Sequence, residues 1–257
     1  MNSVTQVVIH TFLLAFAFGT QIYSPVVSTR LTGVGFFKLG TALVLGSLVL
    51  ALGLAYYMQP PLDVYTWTCY GSLILLNCLA FLFHRDQKSI FMWVIYGLQL
   101  VMFMALVYFT YNFRPDWINF FLGSMALLGI SNFAMILGHY YLVVPKLSEE
   151  PLIYCLCIFW IVIFIKMSSS ISVLVTSQEF LVEGTMKGDG YMYNWLFISM
   201  RWLWGYVAPL ILSFFTYKLC RLRSIQSATG VLYIIEFFVI VGELISAYLM
   251  TKHGLSI

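Results

Sequence analysis

Residues 231–250 read VLYIIEFFVIVGELISAYLM, a run of twenty residues broken by only two charges, Glu236 and Glu243. At about 1.5 Å of rise per residue such a helix is about 30 Å long, the thickness of a bilayer's hydrocarbon core. Each charge held mid-membrane costs roughly 2.5 to 3.5 kcal/mol on insertion scales. A helix carrying two carboxylates therefore needs partners for them, and the rest of the chain is where those partners have to be found.

The whole sequence has the composition of that segment. Of 257 residues, 61% are hydrophobic and 9% charged, and the mean hydropathy is +0.93. Soluble domains carry about a quarter charged residues, so this is a polytopic, all-α integral membrane protein surrounded by lipid. The net charge of +3 is too small an excess to suggest a nucleic-acid partner. None of the five cysteines forms a CxxC pair, and Cys155 and Cys157 lie inside an apolar run, so no metal or redox motif is expected.

Working outward from the last span, hydropathy predicts about eight transmembrane helices, at residues 4–27, 37–58, 65–83, 90–111, 118–144, 152–175, 193–217 and 231–250. The connections are short, so residues 1–257 form a single membrane domain. The longest polar break, an outer loop at 176–192, contains Glu179, Glu183, Lys187 and Asp189 and suits a small cap or a partner-docking loop. Arg30, Lys38, Arg85, Lys88, Lys146, Lys218, Arg221 and Arg223 fall on one side, against Arg114, Lys187 and Lys252 on the other. By the positive-inside rule both termini face outward. The start, MNSVTQ, lacks a basic region, which predicts a retained first helix. Recurrence every seven positions puts Gly46 and Gly53, and likewise Ser124, Ser131 and Gly138, on faces suited to close helix approach. Pro151 suits a helix start, whereas Pro209 falls inside the seventh span and should kink it or open its hydrogen-bond ladder.

This topology assigns a depth to each buried polar residue. His10 and Glu243 fall in the outer half, Lys166 near the middle or in the outer half with Arg201 at comparable depth, and the least costly arrangement pairs Arg201 with Glu243. That pair serves equally as a clamp between the last two helices or as part of a functional polar pocket. On the first helix Gln6, His10, Ala17, Gln21 and Ser24 form a stripe that should turn into the bundle, to line a hydrated path or to bond neighbouring helices. Glu236 lies about 10 Å below Glu243, seven residues away on the same face, without an obvious cation. It is expected to be protonated, water-linked or paired with Asn132 or His139, and these three residues make a candidate proton path.

A haem b held by two histidines is the less favoured cofactor. His10 and His139 belong to opposite leaflets, and His84 meets His139 only if the third and fifth spans touch. The chain lacks the GxSxG, HExxH, GxxxxGK[ST] and GxGxxG signatures in suitable contexts.

The end of the chain, VGELISAYLMTKHGL, resembles the last helix of the quinol-interacting membrane anchors of the DMSO-reductase and polysulfide-reductase type (DmsC- and NrfD-like subunits). The match covers about fifteen residues, carried by Gly242, Glu243, Leu244 and Ile245 and by the tail residues Lys252 and His253. The resemblance implies a respiratory-type complex subunit that works beside other subunits and exchanges electrons between quinol and an iron-sulfur partner. It implies a bacterial inner membrane or an equivalent energy-transducing membrane, and quinone as the ligand of a chain with no cofactor of its own. In that mechanism Glu243 or His10 accepts a proton, Arg201 or Lys166 donates to the quinone oxygen, and Trp202 and Trp204 wall the slot. Two other readings stand beside it. One is a proton- or ion-coupled transporter or channel, and the other an accessory or assembly protein whose buried charges only clamp helices. Whether the chain takes part in catalysis is open among them.

Overall fold

The computed structural model describes residues 4–27, 29–58, 63–83, 89–111, 114–143, 148–182 and 190–257. Every regular element among them is helical. Eight helices are long and apolar enough to cross a membrane: α1 (Val4–Ile22), α2 (Val34–Met58), α3 (Val64–Phe83), α4 (Ile90–Tyr111), α5 (Pro115–Val143), α6 (Glu150–Thr176), α7 (Tyr191–Arg221) and α8 (Ile225–His253). Lipid offers the backbone no hydrogen bonds, so an apolar segment satisfies its own amides by coiling. Shorter turns occupy Ser24–Val26, Thr29–Thr32 and Gln178–Leu181.

Helices α1, α5 and α8 pack on one another at the centre. On one flank α2 lies against α1, with α3 and α4 beyond it; on the other, α6 packs on α5 and α7 on α8. Val8 near the start of α1, Phe120 near the start of α5, and Ala247 and Met250 near the end of α8 share one apolar cluster. The first and last helices thus place Val4 and His253 at the same end of the bundle, called the terminal end below.

The close approach of α1 and α5 depends on one glycine from each helix. A β-carbon on Gly19 would lie 2.2 Å from the carbonyl oxygen of Met125, and one on Gly129 would lie 2.4 Å from the backbone of Gly19. Ser124, Ser131 and Gly138 are buried along α5 as their spacing predicts, and Gly138 faces Thr229 and Leu232 of α8. Gly46 and Gly53 depart from expectation, since both sit on the exposed face of α2 with open space where a side chain would be. Their periodicity marks a face of α2, but that face looks away from the other helices.

The polar stripe on α1 turns inward. Gln21 Nε2 donates to Gln99 Oε1 of α4 at 2.7 Å, His10 Nε2 shares a 2.8 Å hydrogen bond with Tyr70 OH of α3, and Ala17 is fully buried. His10 and Gln21 of the stripe bond neighbouring helices, and His10 also lines a cavity. Pro151 stands at the start of α6 as predicted. Of the expected outer loop, Gln178–Leu181 form a turn that buries Phe180, whose carbonyl accepts from Asn194 Nδ2 at 2.9 Å. Glu183, Lys187 and Asp189 lie outside the described residues.

Candidate functional site

Three helices converge on a cluster of buried charge near the terminal end. Glu243 of α8 is at its centre: its Oε2 accepts from Lys166 Nζ of α6 at 2.5 Å, and its Oε1 accepts from Arg201 Nη2 of α7 at 2.9 Å. The three side chains are 1%, 7% and 0% exposed respectively. One carboxylate therefore serves two cations, and the cluster carries a formal charge of +1 in the interior. Lys166 also donates to Ser124 Oγ of α5 at 2.9 Å, so two of its three ammonium protons are engaged among the described residues.

The geometry of Arg201 comes from a local departure from the α-helix. Leu203–Val207 form a π-helical turn inside α7, in which the Ala208 N–H bonds the Leu203 carbonyl five residues back. Pro209 follows directly; it has no N–H for the Gly205 carbonyl, and its ring would clash there in a regular helix. The wider turn relieves that clash and changes which side chains share a face. Residues 201 and 206 would be about 140° apart around an α-helix. Here Tyr206 OH instead accepts from Arg201 Nη2 at 2.7 Å, and the Tyr206 ring lies 4.1 Å from the guanidinium carbon. Tyr206 OH and Ser170 Oγ of α6 are 2.6 Å apart; because the tyrosine oxygen already accepts from Arg201, donation to Ser170 uses both of its roles.

Two glycines make room for the guanidinium. A β-carbon on Gly205 would lie 2.5 Å from Arg201 Nη1, and one on Gly242 would lie 2.3 Å from the Gly205 Cα. Both positions let α7 and α8 approach with the arginine folded between them. Arg201 Nε and Nη1 have no hydrogen-bond partner among the described residues.

On its other side Lys166 borders a groove of about 490 Å³. Phe120, Gly123, Val162 and Ile165 supply its apolar wall, and Asn119, Ser169 and Ser256 its polar groups. The Lys166 methylenes run over Gly123, with Cε 3.4 Å from where a β-carbon would stand. Ser256 reaches the groove because the chain reverses at Gly254, whose φ of 70° suits glycine. That reversal buries Leu255 and Ile257, and Ser246 Oγ donates to the Ile257 carbonyl.

Of the residues singled out from sequence, Lys166, Arg201 and Glu243 come together, and the expected Arg201–Glu243 pair forms. His10 does not join them; its Nε2 shares a 2.8 Å hydrogen bond with Tyr70 OH of α3 and lines a different cavity. Equal depth brought these residues to one level, but the His10 face of α1 looks toward α3. Trp202 and Trp204 do not line the groove beside Lys166. Trp202 packs edge-on against Tyr206 and Trp204 edge-on against Phe238, at centroid separations of 5.3 and 5.6 Å, while Phe120 supplies the aromatic wall.

The deeper candidates also separate. Neither oxygen of Glu236 has a hydrogen-bond partner among the described residues, although the side chain is 5% exposed and Ser131 of α5 lies close by. Its two suggested partners bond elsewhere: Asn132 Nδ2 donates to Thr20 Oγ1 at 2.7 Å, and His139 Nδ1 pairs with Tyr233 OH at 2.8 Å on the exposed rim. Among the described residues no direct hydrogen bond links Glu236 to Asn132 or His139. His84, needed for a haem pair with His139, lies outside the described residues.

Sequence reasoning missed Tyr206, Ser170 and Gly205. The readable signal for all three was Pro209, which marks where α7 must loosen. No protein-family model, curated protein or solved structure matches this chain.

Proposed function

We propose that this chain is a multi-pass membrane subunit of an electron-transfer complex that binds a quinone or quinol, with the head group seated in the groove beside Lys166. One observation carries the reading: the buried ammonium of Lys166 stands between Glu243 and the groove, and the described residues engage two of its three N–H groups. A quinone head group is a flat apolar ring edged by carbonyl oxygens. The groove offers such a ring the apolar side chains of Phe120, Val162 and Ile165, and offers its carbonyl oxygens Lys166, Asn119 and Ser169. Its volume falls within the roughly 300–1,000 Å³ usual for small-ligand sites. Lys166 donates to a carbonyl oxygen; when quinol is oxidised it loses two protons and two electrons, one proton passing through the Lys166 ammonium to Glu243 and the other to water at the mouth of the groove. The electrons leave to a redox partner in another subunit. The lysine and arginine distribution supports an outward-facing terminal end, and the resemblance of the last helix supports a bacterial inner membrane or an equivalent energy-transducing membrane.

The test is extraction of the purified protein in lipid nanodiscs, followed by measurement of bound quinone from its absorbance. Wild-type protein and the Glu236→Gln variant should carry stoichiometric quinone, and Lys166→Met should carry none while remaining folded. A wild-type protein free of quinone, or equal quinone in Lys166→Met, would overturn the proposal.

A second reading, a proton-coupled transporter, draws on the bare carboxyl of Glu236 at the centre of the bundle. Proton-driven flux in liposomes that disappears in Glu236→Gln supports it, and the absence of proton-driven flux in the wild type removes it.

A further inference from the structure

A second polar cavity lies apart from the Lys166 groove. It has a volume of about 570 Å³ and opens at the terminal end among α1, α2, α3, α4 and the start of α5. Its buried polar groups are the bonded pair His10 and Tyr70, and Thr11, which accepts from Tyr111. One wall is aromatic: the rings of Tyr111 and Trp117 stack at 5.0 Å with planes 13° apart. Two opposite charges also line it, Asp63 at the approach to α3 and Arg114 at the approach to α5. Both are exposed, and neither side chain has an ion-pair or hydrogen-bond partner among the described residues.

We propose that this cavity is a binding site for a small zwitterion of the apolar amino-acid class. An acid and a base lining one cavity without pairing with each other leave two complementary positions for a ligand. A simple anion would satisfy Arg114 but meet Asp63, and a simple cation would do the reverse. A neutral solute would leave both without a charged partner. A molecule bearing an ammonium and a carboxylate on one carbon answers both, through charge-assisted hydrogen bonds, which are about twice as strong as neutral ones. The volume exceeds what those two groups need, and the Tyr111–Trp117 wall gives the remainder of the ligand an apolar surface. The His10–Tyr70 pair closes the inner end. Its residues come from α1 and α3, so occupancy would bridge the central helices and the α3–α4 flank.

The test uses the full chain in nanodiscs and isothermal titration with L-leucine and L-phenylalanine. Two half-probes accompany them: isopentylamine, which lacks the carboxylate, and 4-methylpentanoate, which lacks the ammonium. One of the amino acids should bind saturably and at least about tenfold more tightly than the half-probes. Asp63→Asn should weaken amino-acid and amine binding about tenfold and leave 4-methylpentanoate unchanged; Arg114→Gln should do the reverse. Both residues are exposed, so neither variant threatens folding. The proposal is overturned if neither amino acid saturates, if both variants bind with wild-type affinity, or if binding disappears in Lys166→Met and survives in Asp63→Asn and Arg114→Gln. The last result would move the ligand to the groove.

Discussion

Glu243 and Glu236 sit seven residues apart on one face of α8 and are both buried, yet their surroundings are opposite. Each oxygen of Glu243 accepts from a cation, Lys166 or Arg201, whereas both oxygens of Glu236 are bare among the described residues. The difference arises from the neighbouring helices. At the level of Glu243, α6 and α7 present Lys166 and Arg201, and the π turn ahead of Pro209 adds Tyr206. At the level of Glu236 a polar neighbour is Ser131 of α5, whose hydroxyl donates to its own helix at the Leu128 carbonyl, 3.1 Å away. The same residue type on the same helix thus acts as a three-helix joint in one place and as an isolated polar group in the other.

The contrast is most sharply challenged by removing the upper carboxylate. Glu243→Gln leaves two buried cations without their counter-charge, and unfolding of the purified protein should show a loss of about 3–5 kcal/mol. Next in size is Gly242→Ala: the new methyl meets the Gly205 backbone, which cannot rotate away, and the expected loss is about 1–3 kcal/mol by thermal unfolding. Tyr206→Phe keeps the ring over Arg201 and deletes the hydroxyl between Arg201 and Ser170, for about 1–1.5 kcal/mol in the same assay. Glu236→Gln should have the smallest effect, below about 1 kcal/mol, because neither carboxyl oxygen has a hydrogen-bond partner among the described residues to lose. A Glu236→Gln loss as large as that of Glu243→Gln would erase the distinction between the two levels.

Much of the architecture was legible because lipid imposes a simple length rule. The eight expected spans coincide with α1 to α8, and the ends differ where polar residues remain helical beyond the apolar run. α8 begins at Ile225, ahead of the expected Val231, because IQSATG continues the helix from Ser224. α1 stops at Ile22, and Pro25 stands in the short turn after it. The Arg201–Glu243 pair was legible from depth and from the cost of a lone charge.

Depth gives a residue its level and leaves its bearing around the helix open, which is why His10 was grouped with the charges and instead faces Tyr70. The Gly19–Gly129 crossing was hidden for a related reason. It rests on a single glycine from each helix, whereas the seven-residue repeat of Gly46 and Gly53 drew attention to an exposed face. Tyr206 was hidden because helical periodicity assumes 3.6 residues per turn, and the π turn breaks that assumption at the site itself.

Whether Lys166 and Glu243 act as one unit is tested most directly by a double-mutant cycle on unfolding free energy. The four proteins are the wild type, Lys166→Met, Glu243→Gln and the double variant. Removing the carboxylate leaves the lysine charge uncompensated, so removing both should be less damaging than the sum of the single losses, with a coupling of about 1–3 kcal/mol. Strictly additive losses would contradict the account and reduce the 2.5 Å contact between Lys166 and Glu243 to proximity without mutual stabilisation.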